Sequence, residues 1–331
     1  MIQDYLSFFR RCWPLLIFGM TTVFWGNFGQ SFFISWYGAS FQDSLSLSAT
    51  GYGTAYSMAT LASGLLLMSF GAAIDKIGLR WFVTFSALGL LAATLMLWRV
   101  NSLSGLVASL FMLRFFGQSL LPHTAVTTMA RTFSINRGKA VSVATSGLPL
   151  GEIILPTLAV FLIATFGWQK SWLVVGLSIP LLYLPCSYWL LTLSRKQKYD
   201  EDTGSAKDNP ARVVPRQGSR RTLLADYRFW LVLPIIMAAP FIITGIFIHQ
   251  AFILPQMGWT PLLFAKCFIF YGSCHWLSSM YSGALVDRFS GVQLFKFYPL
   301  PMLLGLLISA SASGSWVAYG LMVLLGISIG S

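Results

Sequence analysis

The chain has 331 residues, of which 56% are hydrophobic and only 10% charged, with a mean hydropathy of +0.70. A soluble domain carries roughly a quarter of its residues charged, so a single water-soluble core is excluded. The net charge of +12 admits a nucleic-acid partner in principle, but the basic residues lie between apolar runs and form no stripe along one element. They are a topology signal, and no nucleic acid is expected.

Ten apolar runs predict an all-α transmembrane protein. They are Pro14 to Tyr37, Thr50 to Ala73, Trp81 to Trp98, Gly105 to Thr128, Ala140 to Phe166, Trp172 to Leu193, Phe229 to His249, Ala265 to Val286, Leu294 to Ser309 and Trp316 to Ser331. Most approach or exceed the roughly 20 residues that cross a hydrocarbon core of about 30 Å. With the N-terminus inside, the inner segments hold 18 of the 22 Lys and Arg residues, and the outer loops hold three, Arg99, Lys170 and Lys266. Lys and Arg are retained on the cytoplasmic side. The expectation is therefore a multi-pass protein of the cell's inner (plasma) membrane, with a cytoplasmic N-terminus and the lipid bilayer as its solvent. No small-residue cleavage site follows the first run, which reads as a span and not as a signal peptide.

Six spans, within residues 1–193, precede a basic segment, 194–228, rich in Gly, Ser, Pro and charge. That composition reads as a flexible cytoplasmic linker. Residues 229–331 hold the last four spans, a partial second bundle.

Between the second and third spans lies Gly71-Ala-Ala-Ile-Asp75-Lys76-Ile-Gly-Leu-Arg80, and after the eighth lies Gly283-Ala-Leu-Val-Asp287-Arg288. Glycine allows close helix approach, and an aspartate can cap a helix N-terminus. The first decapeptide closely resembles the signature loop of the major facilitator superfamily, and the second is its weaker copy. The resemblance implies a pseudo-symmetric six-plus-six helix fold, alternating access, and gating loops in which Gly71, Asp75, Lys76 and Arg80, and then Gly283, Asp287 and Arg288, latch one bundle against the other. It also implies a monomer. Superposing the loops requires an offset of 212 residues, which sets Ser331 opposite Ser119 in the middle of the fourth span. The expectation that follows is a chain truncated in its tenth helix, two helices short of its family.

A second resemblance covers Arg131 to Ala140, Gly147-x-x-x-Gly151 and Gly167-Trp168. It is similar to the monocarboxylate-porter and oxalate/formate-exchanger branch. Ala140, Ala144, Gly147 and Gly151 share one helix face, either for close packing or, with Pro149 and Pro156, as a hinge. The branch typically carries an acid and an arginine one turn apart on the eighth helix, where this sequence has His275 and Ser279. Its acidic first-helix signature is also replaced, by Gly26-Asn-Phe-Gly29.

Charges inside a bilayer are costly enough to be functional candidates by default. Arg114 and Glu152 are two strongly ionisable side chains deep in the spans, at similar depth, so they could meet across the fourth and fifth helices. Arg114-x-x-Gly117 resembles the superfamily's fourth-helix arginine motif, which implies proton coupling. The pair reads either as a bridge broken by protonation of Glu152 or as a static neutralised pair. Further candidates for substrate or proton contact are Asn27 and Gln30 on the first helix, and Tyr271, His275 and Ser279 on the eighth. His275 reads equally as a hydrogen-bonded packing residue.

The resulting expectation is a secondary active transporter of a small solute, with a monocarboxylate or other organic anion as the candidate substrate and protons as a candidate coupling ion. The alternatives are a drug or metabolite exporter of the same superfamily and a truncated, non-transporting scaffold or receptor. No His-Glu-x-x-His or paired-acid motif suggests an intramembrane enzyme. The four cysteines lack C-x-x-C spacing, and neither a metal nor a cofactor is expected.

Overall fold

The computed structural model describes residues 2–70, 77–133, 136–196, 224–289 and 294–331. Among them the secondary structure is helical, in ten main segments: α1 (Ile2–Gly26), α2 (Ala49–Phe70), α3 (Leu79–Trp98), α4 (Leu103–Thr132), α5 (Arg137–Phe166), α6 (Trp168–Arg195), α7 (Tyr227–Ile248), α8 (Pro261–Phe289), α9 (Leu300–Ser311) and α10 (Ser315–Gly330). Five of these, α3 to α7, are both long and apolar enough to cross a bilayer, and a sixth span results if Gln250–Gln256 and α8, bent by 111°, count together. Arg10 and Arg11 dilute α1, Gly, Ser, Thr and Tyr dilute α2, and α9 and α10 have only 12 and 16 residues.

The side chains that face away from the bundles are apolar. Met58, Leu61 and Leu65 on α2, Trp81 and Phe85 on α3, Leu181 on α6 and Phe241 on α7 are all exposed. Such a continuous apolar exterior is stable in lipid and not in water. The protein is an integral, multi-pass membrane protein.

Local chemistry explains where the helices bend. α1 ends at Gly26, and after the single turn Asn27–Gly29 the chain is extended at Gln30 (φ −82°, ψ 151°) before short helical pieces carry it to Leu45. The predicted first span, Pro14 to Tyr37, is therefore broken. Gly29 lies so close to α4 that a β-carbon there would strike the Leu113 carbonyl. In α4, residues Leu113–Leu120 adopt π-helical pairing. Pro122 has no N–H for the Gln118 carbonyl, which favours such a bulge. In α5 the helix is interrupted at Ser146, three residues before Pro149, which cannot donate to the Thr145 carbonyl. Asp226 caps α7, its Oδ1 accepting from the Arg228 N–H at 2.9 Å.

Two departures from the sequence reading concern ends. The ninth helix begins at Leu300, after turns, and not at Leu294. Gly283, Asp287 and Arg288 lie within the helical backbone of α8, and not in a loop, because no breaker precedes Ser290-Gly291. Their side chains fall outside the described residues, as do Gly71, Asp75 and Lys76 and most of the linker.

α1 packs on α4, α5 and α6, with α3 on α4 and α6 and α2 on α4; α8 packs on α10 and, across the two halves, on α5. The N-terminal segment, the starts of α3 and α5 and the ends of α4 and α6 share one face, here termed the basic face. There Arg80 donates to Thr192 at 3.0 Å, and Phe8 meets Phe133 at 5.3 Å. Leu45, the end of α5 and the α7–α8 connection mark the opposite, far face, where Phe41 stacks edge-on against Trp168 at 5.5 Å.

Candidate functional site

Close approach of α1, α4, α5 and α8 depends on glycine. A β-carbon on Gly147 would fall on the Met20 carbonyl, one on Gly151 on Nδ2 of Asn27, and one on Gly117 would sit 2.9 Å from Gly29 Cα. On the other half, Gly272 leaves only 2.9 Å between such a carbon and the Pro149 carbonyl, while Gly326 and Gly330 face the Tyr271 and His275 carbonyls. The packing reading of Gly147 and Gly151 thus has a direct geometric basis. Gly272 and the Gly326-x-x-x-Gly330 pair were missed, although the second has the small-residue spacing that signals helix contact.

The polar side chains held between these helices fall into two groups. The first lies in the N-terminal half. Asn27 is buried and donates through Nδ2 to the Gly147 carbonyl at 2.9 Å and, more weakly, to that of Leu148 at 3.4 Å. Arg114, only 4% exposed, donates through Nη1 to the Gly29 carbonyl at 3.2 Å, and its guanidinium lies 5.1 Å from the Tyr56 ring centroid. Several buried polar atoms around it lack hydrogen-bond partners: Arg114 Nε, the hydroxyls of Tyr52 and Tyr56, and Thr60 Oγ1. Tyr56 faces Ser31 and Thr60 without meeting hydrogen-bond geometry. Each such orphan costs about 1–3 kcal/mol unless a ligand or water satisfies it. Tyr52, one turn before Tyr56, was absent from the sequence reading.

The second group joins the halves. Glu152 Oε2 and His275 Nδ1 are 2.7 Å apart, with both residues buried. The Tyr271 ring lies 6.2 Å from that of His275, and Trp276 Nε1 donates to Ser146 Oγ at 3.1 Å. Arg114 and Glu152, expected at equal depth, do not pair with one another: the arginine turns to α1 and α2, and the glutamate to α8. Gln30 is half-buried at the break after α1, and Ser279 is exposed, donating to the Trp276 carbonyl at 2.9 Å, so neither joins these groups. A cleft of about 510 Å³, lined by Ser278, Ser282, Tyr281 and Tyr298 among others, lies further along α8. Among the described residues no cluster of His, Cys, Asp and Glu could hold a metal.

Toward the far face the halves meet through aromatic rings. Phe32 and Trp36 of the segment after α1 stand 6.0–6.2 Å from Phe264 and Phe268 of α8, and Phe247 of α7 stacks on Phe268 at 4.9 Å. Trp36, Phe264 and Phe268 are buried, so the rings close that end of the interface. A small pocket of about 240 Å³ lined by Gln42, Asp43 and His249 lies in the same region.

An all-α membrane protein whose two bundles pack through glycine-rich helices around buried charged groups has the build of a solute carrier. The profile of the Major Facilitator Superfamily matches residues 16–331, and the chain belongs to that family. This is a transporter family and not an enzyme family. The chain is 28% identical over 145 residues to the uncharacterized transporter YybO of Bacillus subtilis (strain 168), a match that spans 41% of this chain and 31% of that relative. Two solved structures share the fold, both of a bacterial homologue of the human lysosomal transporter Spinster. The inward-facing, occupied form has a TM-score of 0.65 at 16% identity, covering 95% of this chain and 72% of that one. The inward-facing, unoccupied form has a TM-score of 0.65 at 15% identity, covering 97% and 74%.

Proposed function

We propose that the protein is a secondary active transporter that moves a small organic anion across the inner (plasma) membrane by alternating access, with a proton exchanged at Glu152 and His275. The observation that carries the anion reading is the Arg114 cluster. A buried guanidinium with an unused Nε–H, beside two tyrosine hydroxyls and a threonine hydroxyl, offers mostly donors to a solute. A monocarboxylate is the simplest solute that matches such a set.

The coupling reading rests on Glu152 and His275. Their contact crosses the interface that must open and close, so its strength differs between the states of the cycle. Ionised Glu152 accepts from the His275 ring; once protonated it loses the charge that makes the contact strong, and the halves separate more easily. Far-face closure by the aromatic rings, together with likeness to structures described as inward-facing, supports an inward-open resting state with the basic face cytoplasmic. In this reading residues 1–193 and 229–331 are the two moving bundles and 194–228 the linker. The branch of monocarboxylate porters and oxalate/formate exchangers remains the proposed affiliation, and the monomer the proposed state.

The test is uptake into proteoliposomes of a panel of labelled monocarboxylates, dicarboxylates and neutral analogues, with and without an inward proton gradient. Saturable uptake of an anion, stimulated by the gradient and reduced at least tenfold by Arg114→Ala, is expected. Uptake of neutral or cationic drugs in place of anions would move the protein to the exporter reading.

A further inference from the structure

At the basic face, α1, α3, α4 and α6 line an open-mouthed cavity of about 330 Å³ whose lining includes Arg80, Arg195, Thr128, Thr132 and Ser194 over a floor of Leu191. In this structure Arg80, expected from the sequence in the latch between the bundles, bonds instead to Thr192 of its own half, and the described lining of the cavity belongs to that half alone. We propose that this cavity is a binding site for a phosphate group.

Three features point to an anion. The first is charge: two guanidinium groups line the cavity, Arg131 stands in the last turn of α4 beside Thr132, and no carboxylate belongs to its described lining. The second is preorganisation. Arg80 is held by donation from Nη2 to Thr192 Oγ1 at 3.0 Å and lies over the Tyr188 ring at 5.6 Å, while its Nε is buried without an acceptor. A fixed fork with an unused donor binds an oxyanion at little entropic cost. The third is the start of α3. Its N-cap is Gly78, which has no side chain to satisfy the first N–H groups, and Leu79 and Arg80 of that first turn line the cavity. A helix N-terminus whose N-cap residue supplies no side-chain acceptor presents N–H donors and a positive dipole end to an anion.

The position favours phosphate over other anions. The cavity lies at the basic end of the bundle, and basic pockets between membrane helices take anionic headgroups. Tetrahedral phosphate also accepts from donors in several directions at once, which suits a cavity lined by two guanidinium groups and several hydroxyls. Two sources share this chemistry: the phosphodiester of an anionic phospholipid and free inorganic phosphate.

The purified, delipidated chain is titrated with phosphatidylglycerol or phosphatidylcholine and the bound lipid counted by native mass spectrometry. In parallel, thermal unfolding is followed with sodium phosphate against sodium chloride at equal ionic strength. A preference for phosphatidylglycerol of about tenfold or more, lost in Arg80→Gln/Arg195→Gln and largely kept in Arg80→Lys/Arg195→Lys, identifies the lipid headgroup. Stabilisation by phosphate itself, with the same dependence on the two arginines, identifies the free anion. Arg195 is exposed, so Arg195→Gln alone, expected to lose part of the preference, carries the test if the double variant does not fold. Equal binding of both lipids with no phosphate-specific stabilisation, or a preference that survives the glutamine substitutions, overturns the proposal.

Discussion

Glu152 of α5 and His275 of α8 are 2.7 Å apart across the interface between the two bundles, and both are buried. Pro156, four residues after Glu152, cannot donate to the Glu152 carbonyl, so α5 lacks a helical hydrogen bond beside its charged residue. A helix with a missing hydrogen bond thus carries one half of a contact whose strength varies with protonation. Removing one member strands the other away from water, at a cost of about 3–5 kcal/mol for a buried pair. Glu152→Gln keeps the shape and a hydrogen bond but not the charge. Gradient-driven uptake is expected to fall to the level of passive exchange while solute counterflow persists, since counterflow needs no net proton movement. Uptake by Glu152→Gln that still responds to pH as fully as the parent does would remove the coupling assignment.

The same two residues permit a double-mutant cycle on stability. Glu152→Ala and His275→Ala each lose the contact, and if it is made in the resting state, the double variant is less destabilised than the sum of the singles. A coupling of about 1–3 kcal/mol, read from denaturant or thermal unfolding of the purified protein, is expected. Strict additivity would mean that the two groups do not meet in solution.

The glycines set the distance over which that contact forms. Gly151→Ala places a methyl group on Nδ2 of Asn27, and Gly147→Ala places one against the α1 backbone at Met20. Backbone cannot move aside as a flexible side chain can, so Gly147→Ala is expected to cost about 1–3 kcal/mol of stability and to lower the unfolding temperature. Gly64→Ala in α2, where the added carbon meets nothing within 4 Å, is the neutral control. Equal unfolding temperatures for the two variants would mean that α1 and α5 are not in close contact.

Much of the fold was legible because the bilayer imposes length and apolarity on each segment, which is why ten runs in the sequence correspond to the ten main helical segments among the described residues. Arg114, Glu152 and His275 stood out for a related reason, since charge within apolar runs is rare. Their pairing was not legible. Depth along a helix says nothing of azimuth, and the π-helical stretch Leu113–Leu120 changes which side chains of α4 share a face. Arg114 therefore meets Gly29 and Tyr56 instead of Glu152. The aromatic closure was hidden too, because Phe32, Trp36 and Phe268 have the same composition as lipid-facing residues, and only packing tells them apart.

Arg114 offers a sharper test of solute class. Arg114→Ala removes the donor to the Gly29 carbonyl as well as the positive charge, so lost transport in that variant alone would be ambiguous. Arg114→Lys retains charge but not the planar fork. If the arginine binds a carboxylate, KM for the anion is expected to rise by about tenfold in the lysine variant, one or two charge-assisted hydrogen bonds being lost, with a smaller change in the maximal rate. A purely structural arginine would show the opposite split, with less folded protein and an unchanged KM in what remains.

Closure of the far face can be read out through a cysteine already in place. Cys267 is fully buried, one residue before Phe268, whose ring stands 6.0 Å from that of Trp36. With Cys12, Cys186 and Cys274 replaced by serine, Cys267 becomes a single reporter at the level of the aromatic layer, between Phe264 and Phe268. Trp36→Ala removes the largest ring of the cross-half contact and opens a path to it from the far face. Labelling by a membrane-impermeant maleimide added outside right-side-out vesicles is expected to quicken by about tenfold, equivalent to a shift of about 1.4 kcal/mol in the closing equilibrium. Trp36→Phe keeps an aromatic plate in place and should label slowly, like the parent. If Trp36→Ala labels no faster than the parent from the outside, the rings are ordinary core packing and the seal lies elsewhere between the halves.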